Sequence, residues 1–389
     1  MKFRVDRDVL ADAVAWVARN VPARPSLPVL AGVLIQASDG ELVLSGFDYE
    51  TSGRVTVPAE IAEEGSALVS GRLLADIGRS LPAQPVDVTA DSGKVQLTCS
   101  SARFTLQTLP LEDYPELPEM PSASGTVPAE TLAAAVQQVA VAAGRDDMLP
   151  VLTGVRIEIE GSQLTLAATD RYRLAVREFS WKPEQPDVSA TALVPARVLA
   201  DTAKAFGSGT EVTIALSAPG TDGPGEGLVG FSGTSTNATR RTTTRLLDGE
   251  FPKYRTLFPS EQQVTARIDT ASLVESLKRV ALVAERSTPI RLSLADGQAT
   301  LDAGSSDEAQ ASESLEADIE GNGITVGFNP GYLLDGLNVL DAPVSQFSFT
   351  EEGKPVVLTG LLSADADPAS ASPVDADYRY LLMPVRLQN

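Results

Sequence analysis

Leu27-Pro28-Val29-Leu30-Ala31-Gly32-Val33 returns, nearly letter for letter, as Leu149-Pro150-Val151-Leu152-Thr153-Gly154-Val155. A third, eroded copy reads Thr288-Pro289-Ile290-Arg291-Leu292. The copies stand roughly 120–140 residues apart. Stacked solenoid repeats are only about 20–50 residues long, so these copies mark whole domains.

The surroundings of each copy repeat as well. Upstream lies an amphipathic segment. Leu10, Ala13, Val14 and Val17 follow i, i+3, i+4, i+7 spacing, as do Leu132, Ala135, Val136 and Val139. Leu273, Leu277 and Val280 keep most of it. Each set predicts one apolar helix face. Asp8, Pro128 and Asp269-Thr270 suit the helix starts.

Downstream, an acidic-Gly dipeptide precedes an alternating run: Asp39-Gly40, Glu160-Gly161 and Asp296-Gly297. Such turns predict hairpins. A short apolar strand and a second helix follow. Arg72-Leu73-Leu74-Ala75-Asp76 matches Arg197-Val198-Leu199-Ala200-Asp201, and Tyr332-Leu333-Leu334-Asp335 matches more loosely. Strand, helix, several strands, and then the same order again describe an α+β domain with antiparallel sheets.

Pro-rich stretches at residues 110–121 and 251–259 separate the copies. The expected domains are 1–121, 125–255 and 260–389. Residues 218–227 and 363–377, rich in Gly, Pro, Ala, Ser and Asp, read as inserted loops.

Composition narrows the chemistry. The 389-residue chain contains no histidine and one cysteine, Cys99. Ser-His-Asp and Cys-His catalysis are therefore closed to it, as are disulfide frameworks and Cys-rich metal sites. Cys99 and Trp16 suit core positions, and Trp181 a strand edge. Asp48, Asp170 and Asp307 fall at equivalent turns of three domains, so they form no convergent catalytic carboxylate pair. No Gly-rich phosphate loop occurs, and no cofactor or metal is expected. No stretch reaches the ~20 apolar residues of a membrane span, and Met1-Lys2-Phe3-Arg4-Val5-Asp6 has no secretory pattern. A cytoplasmic protein is expected.

The formal net charge is −21. Taken alone it argues against nucleic acid, because duplex binding needs cations opposite phosphates. Distribution reverses the argument if one surface is basic. Arg19, Arg72, Arg79, Arg197, Lys204, Lys278 and Arg279 lie on the repeated helices, with Arg24 and Arg145 just beyond helix ends.

Several segments, in order, resemble the beta subunit family of bacterial DNA polymerase III, the replicative sliding clamps. They are Met1-Lys2-Phe3, Arg24-Pro25-Ser26-Leu27-Pro28-Val29-Leu30, Thr169-Asp170-Arg171-Tyr172-Arg173-Leu174, Phe251-Pro252-Lys253-Tyr254, Gly327-Phe328-Asn329 and Tyr380-Leu381-Leu382-Met383-Pro384-Val385-Arg386-Leu387. The resemblance spans essentially the whole chain. It implies a head-to-tail homodimer closed into a ring around duplex DNA, with two helices per domain inside and sheets outside. The implied role is a non-catalytic, nucleoid-associated processivity factor, opened by a clamp loader and tethering the polymerase III catalytic subunit. Other polymerases, ligase and mismatch-repair factors would share its docking site through a short linear motif.

The resemblance also assigns residues. Phe104 and Leu106 would meet Leu282 and Val283 across the dimer joint. Arg24, Arg72, Arg197, Lys204, Lys278 and Arg279 would face DNA. A peptide pocket would comprise Leu152, Thr169, Tyr172, Arg173, Leu174, Pro252, Thr256, Leu257, Asn329, Tyr332, Leu381, Leu382, Met383, Pro384, Val385 and Arg386. Tyr172 stands where the family commonly has histidine, Thr256 where it often has arginine, and the tail runs on to Gln388-Asn389. Two other readings stand beside this one: an interaction scaffold that never touches DNA, and a carboxylate-based cytosolic enzyme.

Overall fold

The structure is a computed structural model that describes residues 1–22, 25–91, 93–207, 209–217, 227–235, 237–284, 288–304, 309–363 and 377–387. Arg24, Asp307, the tail residues Gln388 and Asn389, and nearly all of the 218–227 and 363–377 insertions lie outside the described residues.

Six α-helices occur among the described residues: α1 (Arg7–Val17), α2 (Gly71–Ser80), α3 (Ala129–Ala140), α4 (Ala196–Phe206), α5 (Thr270–Val280) and α6 (Pro330–Asn338). Side-chain oxygens cap four of them. Asp6 accepts from the Asp8 amide at 2.8 Å and Asp269 from the Ser272 amide at 2.8 Å, while Ser70 and Asn329 do the same for α2 and α6. The cap of α1 is therefore Asp6, and Asp8 sits in the first turn, where a carboxylate complements the helix dipole. The apolar stripes predicted for α1, α3 and α5 are buried.

The repeated heptapeptide has a definite conformation. Pro28–Ala31 and Pro150–Thr153 are 3-10 turns, and Gly32–Ser38 and Gly154–Glu160 are the strands they lead into. Proline sits at the turn's start, where no amide hydrogen is needed. In the eroded copy the strand begins at Ile290. At Asp39-Gly40 and Asp296-Gly297 both residues have positive φ, between 49° and 78°, as a two-residue hairpin loop requires.

The chain divides into two compact units. Met1–Ala133, Trp181–Val194 and Val198–Leu246 form one; Ala134–Ser180, Pro195–Arg197 and Leu247–Asn389 form the other. The division falls inside the second repeat because hydrogen-bonded sheets run from one repeat into the next. In the first unit, strand Thr51–Pro58 pairs antiparallel with Ala238–Arg245. Buried hydroxyls fasten that joint: Ser52 to Thr243 at 2.6 Å and Thr51 to Thr244 at 3.0 Å. In the second unit, strand Arg173–Ser180 pairs antiparallel with Tyr378–Leu382.

Each unit holds a further sheet. The first has a five-stranded sheet ending on strand Ala102–Gln107, and α1 packs on α2 beside it. Its core includes Trp16 and Cys99 as expected. Trp181 directly precedes the edge strand Lys182–Pro183 and is buried there, its ring covering Gly125 of strand Ala123–Pro128. The second unit has a four-stranded sheet ending on strand Ala311–Glu316, with α5 packed on α6.

The Pro-rich linkers are pinned by tyrosines. Tyr114 and Leu117 pack on Val29, Leu34 and Leu68, and burial pushes the Tyr114 phenol up to about 12. Tyr254 is buried and its hydroxyl donates to Glu158 at 2.9 Å. Arg156 and Arg255 pair with the same carboxylate.

Candidate functional site: a peptide-sized cleft in the second unit

The segment Thr169-Asp170-Arg171-Tyr172-Arg173 forms a tight turn between two strands. Asp170 Oδ1 accepts the amides of Tyr172 and Arg173 at 3.0 and 3.1 Å, and Arg171 takes φ +79°. The first repeat builds the same turn. Asp48 Oδ1 accepts the Glu50 and Thr51 amides at 2.9 and 2.6 Å, with Tyr49 at φ +75°. The equivalence drawn from sequence thus reaches backbone angles. Asp307 of the third copy falls outside the described residues.

Arg173 organises the site. Only 5% of its side chain is exposed, and it pairs with Asp170 at 3.0 Å and Asp335 at 2.6 Å. Its guanidinium lies 4.4 Å from the centre of the Tyr332 ring and donates to the Tyr380 hydroxyl at 3.4 Å. Burial disfavours its charge, but Tyr380, Asp335 and Asp170 outweigh burial and raise its affinity for the proton. Burial likewise pushes the Tyr380 phenol well above its ordinary value. That hydroxyl donates to the Tyr332 carbonyl at 2.9 Å, so strand Tyr378–Leu382 holds α6. Tyr172 and Tyr332 stack, with ring centres 6.2 Å apart.

Above this floor opens a cleft of about 600 Å³. Leu152, Tyr172, Arg173, Asn329 and Tyr332, all expected from sequence, line it. Asp335 and the 144–149 loop also line it and were not anticipated as pocket residues. Arg145, expected only beyond a helix end, is one of these walls. Only the turn that follows α3 brings it there: the Gly144 amide donates to the Leu152 carbonyl at 2.7 Å.

The other expected pocket residues take three places. Thr169, Leu174, Leu381 and Leu382 are buried and support the floor. Met383, Pro384, Val385 and Arg386 line a second groove of about 850 Å³ with Arg291 and Glu352. The tail is held there by backbone: the Met383 amide donates to Tyr172 at 2.8 Å and the Val385 amide to Gly327 at 2.9 Å. Pro252, Thr256 and Leu257 are exposed on or beside the 3-10 turn Tyr254–Leu257. The first groove is mostly apolar and the second more polar, and the two together can accept an extended peptide with apolar anchors and polar flanks.

Arg72, Arg197, Lys204, Lys278 and Arg279 are all exposed on helices. Arg72 and Arg197 occupy the second position of α2 and α4. Lys278 pairs with Glu275 at 3.1 Å, and Arg279 grips Glu313 through both nitrogens, so part of their charge is neutralised locally. At the expected joint, Leu282 is 83% exposed and Val283 half-buried. Phe104 is half-buried, and Leu106 already belongs to its own core at 6% exposure. The alternation of strand Ala102–Gln107 turns Leu106 inward.

Among the described residues no group of acidic or cysteine side chains converges as a metal site, and no helix is long and apolar enough to cross a membrane.

Three consecutive segments match successive domains of one family: DNA polymerase III beta subunit, N-terminal domain (residues 1–118), central domain (126–253) and C-terminal domain (255–385). The chain belongs to the DNA polymerase III beta subunit family. It is 61% identical to the beta sliding clamp of Streptomyces coelicolor (strain ATCC BAA-471 / A3(2) / M145) over 387 residues, covering 100% of both chains. It is 30% identical to the beta sliding clamp of Pseudomonas putida, again over 100% of both. The Pseudomonas aeruginosa sliding clamp solved with bound griselimycin superposes with a TM-score of 0.86 at 29% identity, covering 100% of each chain. The fold is the clamp fold of this family.

Proposed function

We propose that two copies of this chain close head to tail into a ring that encircles duplex DNA and tethers a replicative polymerase. The domains are 1–121, 125–255 and 260–389. The chain itself is non-catalytic and cytoplasmic, and joins the nucleoid during replication.

The observation that carries the ring is the pattern of sheet joints. Thr51–Pro58 and Ala238–Arg245 are the last strands of consecutive three-strand runs, and they pair antiparallel. Arg173–Ser180 and Tyr378–Leu382 do the same. Two equivalent last strands, Ala102–Gln107 and Ala311–Glu316, end their sheets. An unpaired edge is a template for another chain. Pairing each with its counterpart on a second copy repeats the joint, and a heterologous contact that closes gives a ring. Arg103, exposed on one edge, would find an oppositely charged partner in Glu316, exposed on the other. Leu282 would be covered there.

The DNA contacts are Arg72, Arg197 and Lys204, with Arg24 from the resemblance and weaker shares from Lys278 and Arg279. Phosphate contacts carry no sequence information, which suits sliding. The cleft above the Tyr172–Tyr332 stack and the tail groove take the linear motifs of the polymerase catalytic subunit, the loader, other polymerases, ligase and repair factors.

Sedimentation equilibrium tests the assembly. A mass twice the 40.8 kDa of the chain is expected at micromolar concentration. A monomer at that concentration would overturn the ring.

A further inference from the structure

Three guanidiniums line the 600 Å³ cleft: Arg145, Arg171 and Arg173. Arg173 is consumed by Asp170 and Asp335. The third acid, Asp146, has one carboxylate oxygen on the Met148 amide at 3.0 Å. Arg145 and Arg171 are exposed, and neither makes an ion pair among the described residues. Arg145 and Arg171 thus place two uncommitted cations at one cleft of a chain whose net charge is −21.

Arg171 also holds an unfavourable backbone. Its φ is +79°, in the left-handed region that costs non-glycine residues ~1–2 kcal/mol. The Asp170 turn imposes that angle and presents the side chain at the rim. Met148, in the same loop as Arg145, stands 85% exposed, a large flexible apolar side chain in water. The rim therefore offers two cations around a cleft floored by stacked tyrosines, with a soft apolar side chain on the adjoining loop.

We propose that Arg145 and Arg171 are specificity residues that read an acidic side chain flanking the apolar anchors of the partner peptide. This inference rests on the cleft being the peptide site. Arg173 plays a different part: it fixes the floor and contributes no free charge. The occupant is thus a short peptide with buried apolar residues and a Glu or Asp at the rim.

Two fluorescein-labelled nonapeptides test this by polarisation on the full chain. Both carry leucine and phenylalanine anchors; one has Glu on either side and the other has Gln. The Glu peptide is expected to bind about three- to tenfold tighter at low salt, the advantage shrinking as salt rises. In Arg171→Gly and Arg145→Gln the ratio of the two affinities falls toward one, and Arg171→Lys restores it. Arg171→Gly also relieves the backbone, so its thermal midpoint does not fall. Equal binding of both peptides by the wild-type chain overturns the acidic preference and leaves the pocket standing. Binding of neither peptide overturns the pocket as well.

Discussion

Arg173 shows how one side chain joins architecture to recognition. It is buried, doubly paired and stacked on Tyr332. Removing it leaves Asp170, in a largely buried position, with only its backbone amide donors and cuts the ion pair that ties Asp335 of α6 to the turn. Breaking such a buried pair costs ~3–5 kcal/mol. Arg173→Ala is expected to lose about that much in denaturant unfolding and to lose peptide binding; a variant of wild-type stability would mean the network is ornamental.

Glu158 supplies a pH test. Burial pushes its carboxyl up, but donors from Arg255, Tyr254 and Arg156 prevail and hold it below the usual carboxylate range. A depressed folded value contributes stability that is present above the unfolded value and lost as pH falls through the folded one. Glu158→Gln should therefore be less stable by ~1–3 kcal/mol at neutral pH, with a deficit that narrows in acid. A deficit that stays constant through the acid range would contradict this. Residue roles were unevenly legible. Asp170, Tyr172 and Arg173 stood in a recognisable string, but Arg145 and Asp335 reach the cleft only through tertiary placement, which no local pattern encodes.

At the scale of elements, the repeated heptapeptide is a 3-10 turn feeding a strand, and its Pro and Gly mark the two ends of that turn. Period, helix faces and hairpin turns were readable because each depends on local spacing and on φ preferences. The burial of Leu106 was not, since inward and outward faces of an edge strand depend on register. Nor was the sheet continuity between repeats, which joins strands of neighbouring repeats into one sheet within each compact unit. The tail is held to its unit by few backbone bonds. Deleting residues 383–389 should abolish peptide binding while leaving the dimer mass unchanged. Loss of the dimer would place the tail at the subunit joint instead.

For the whole molecule, the joint and the hole make separable predictions. Leu282 is exposed, so Leu282→Asp should keep the folded stability and shift the sedimentation mass to one chain. Leu106→Asp would damage the core as well and is the less informative change. An unaltered dimer in Leu282→Asp would move the joint elsewhere. The acid-rich composition also fits the molecule's scale: an acidic body discourages adhesion to DNA from outside, while a few exposed helix cations suffice for a grip that is topological.

Topology is the central claim, and release by cutting tests it most directly. The labelled chain would be loaded by a competent clamp loader onto a nicked circular duplex, washed at high salt, and the circle then linearised. Retention through the wash and loss on linearisation are expected, because phosphate contacts alone weaken steeply with salt whereas a closed ring leaves only by an end. Absence of retention, or retention indifferent to cutting, would contradict the ring and favour a scaffold that binds proteins without encircling DNA.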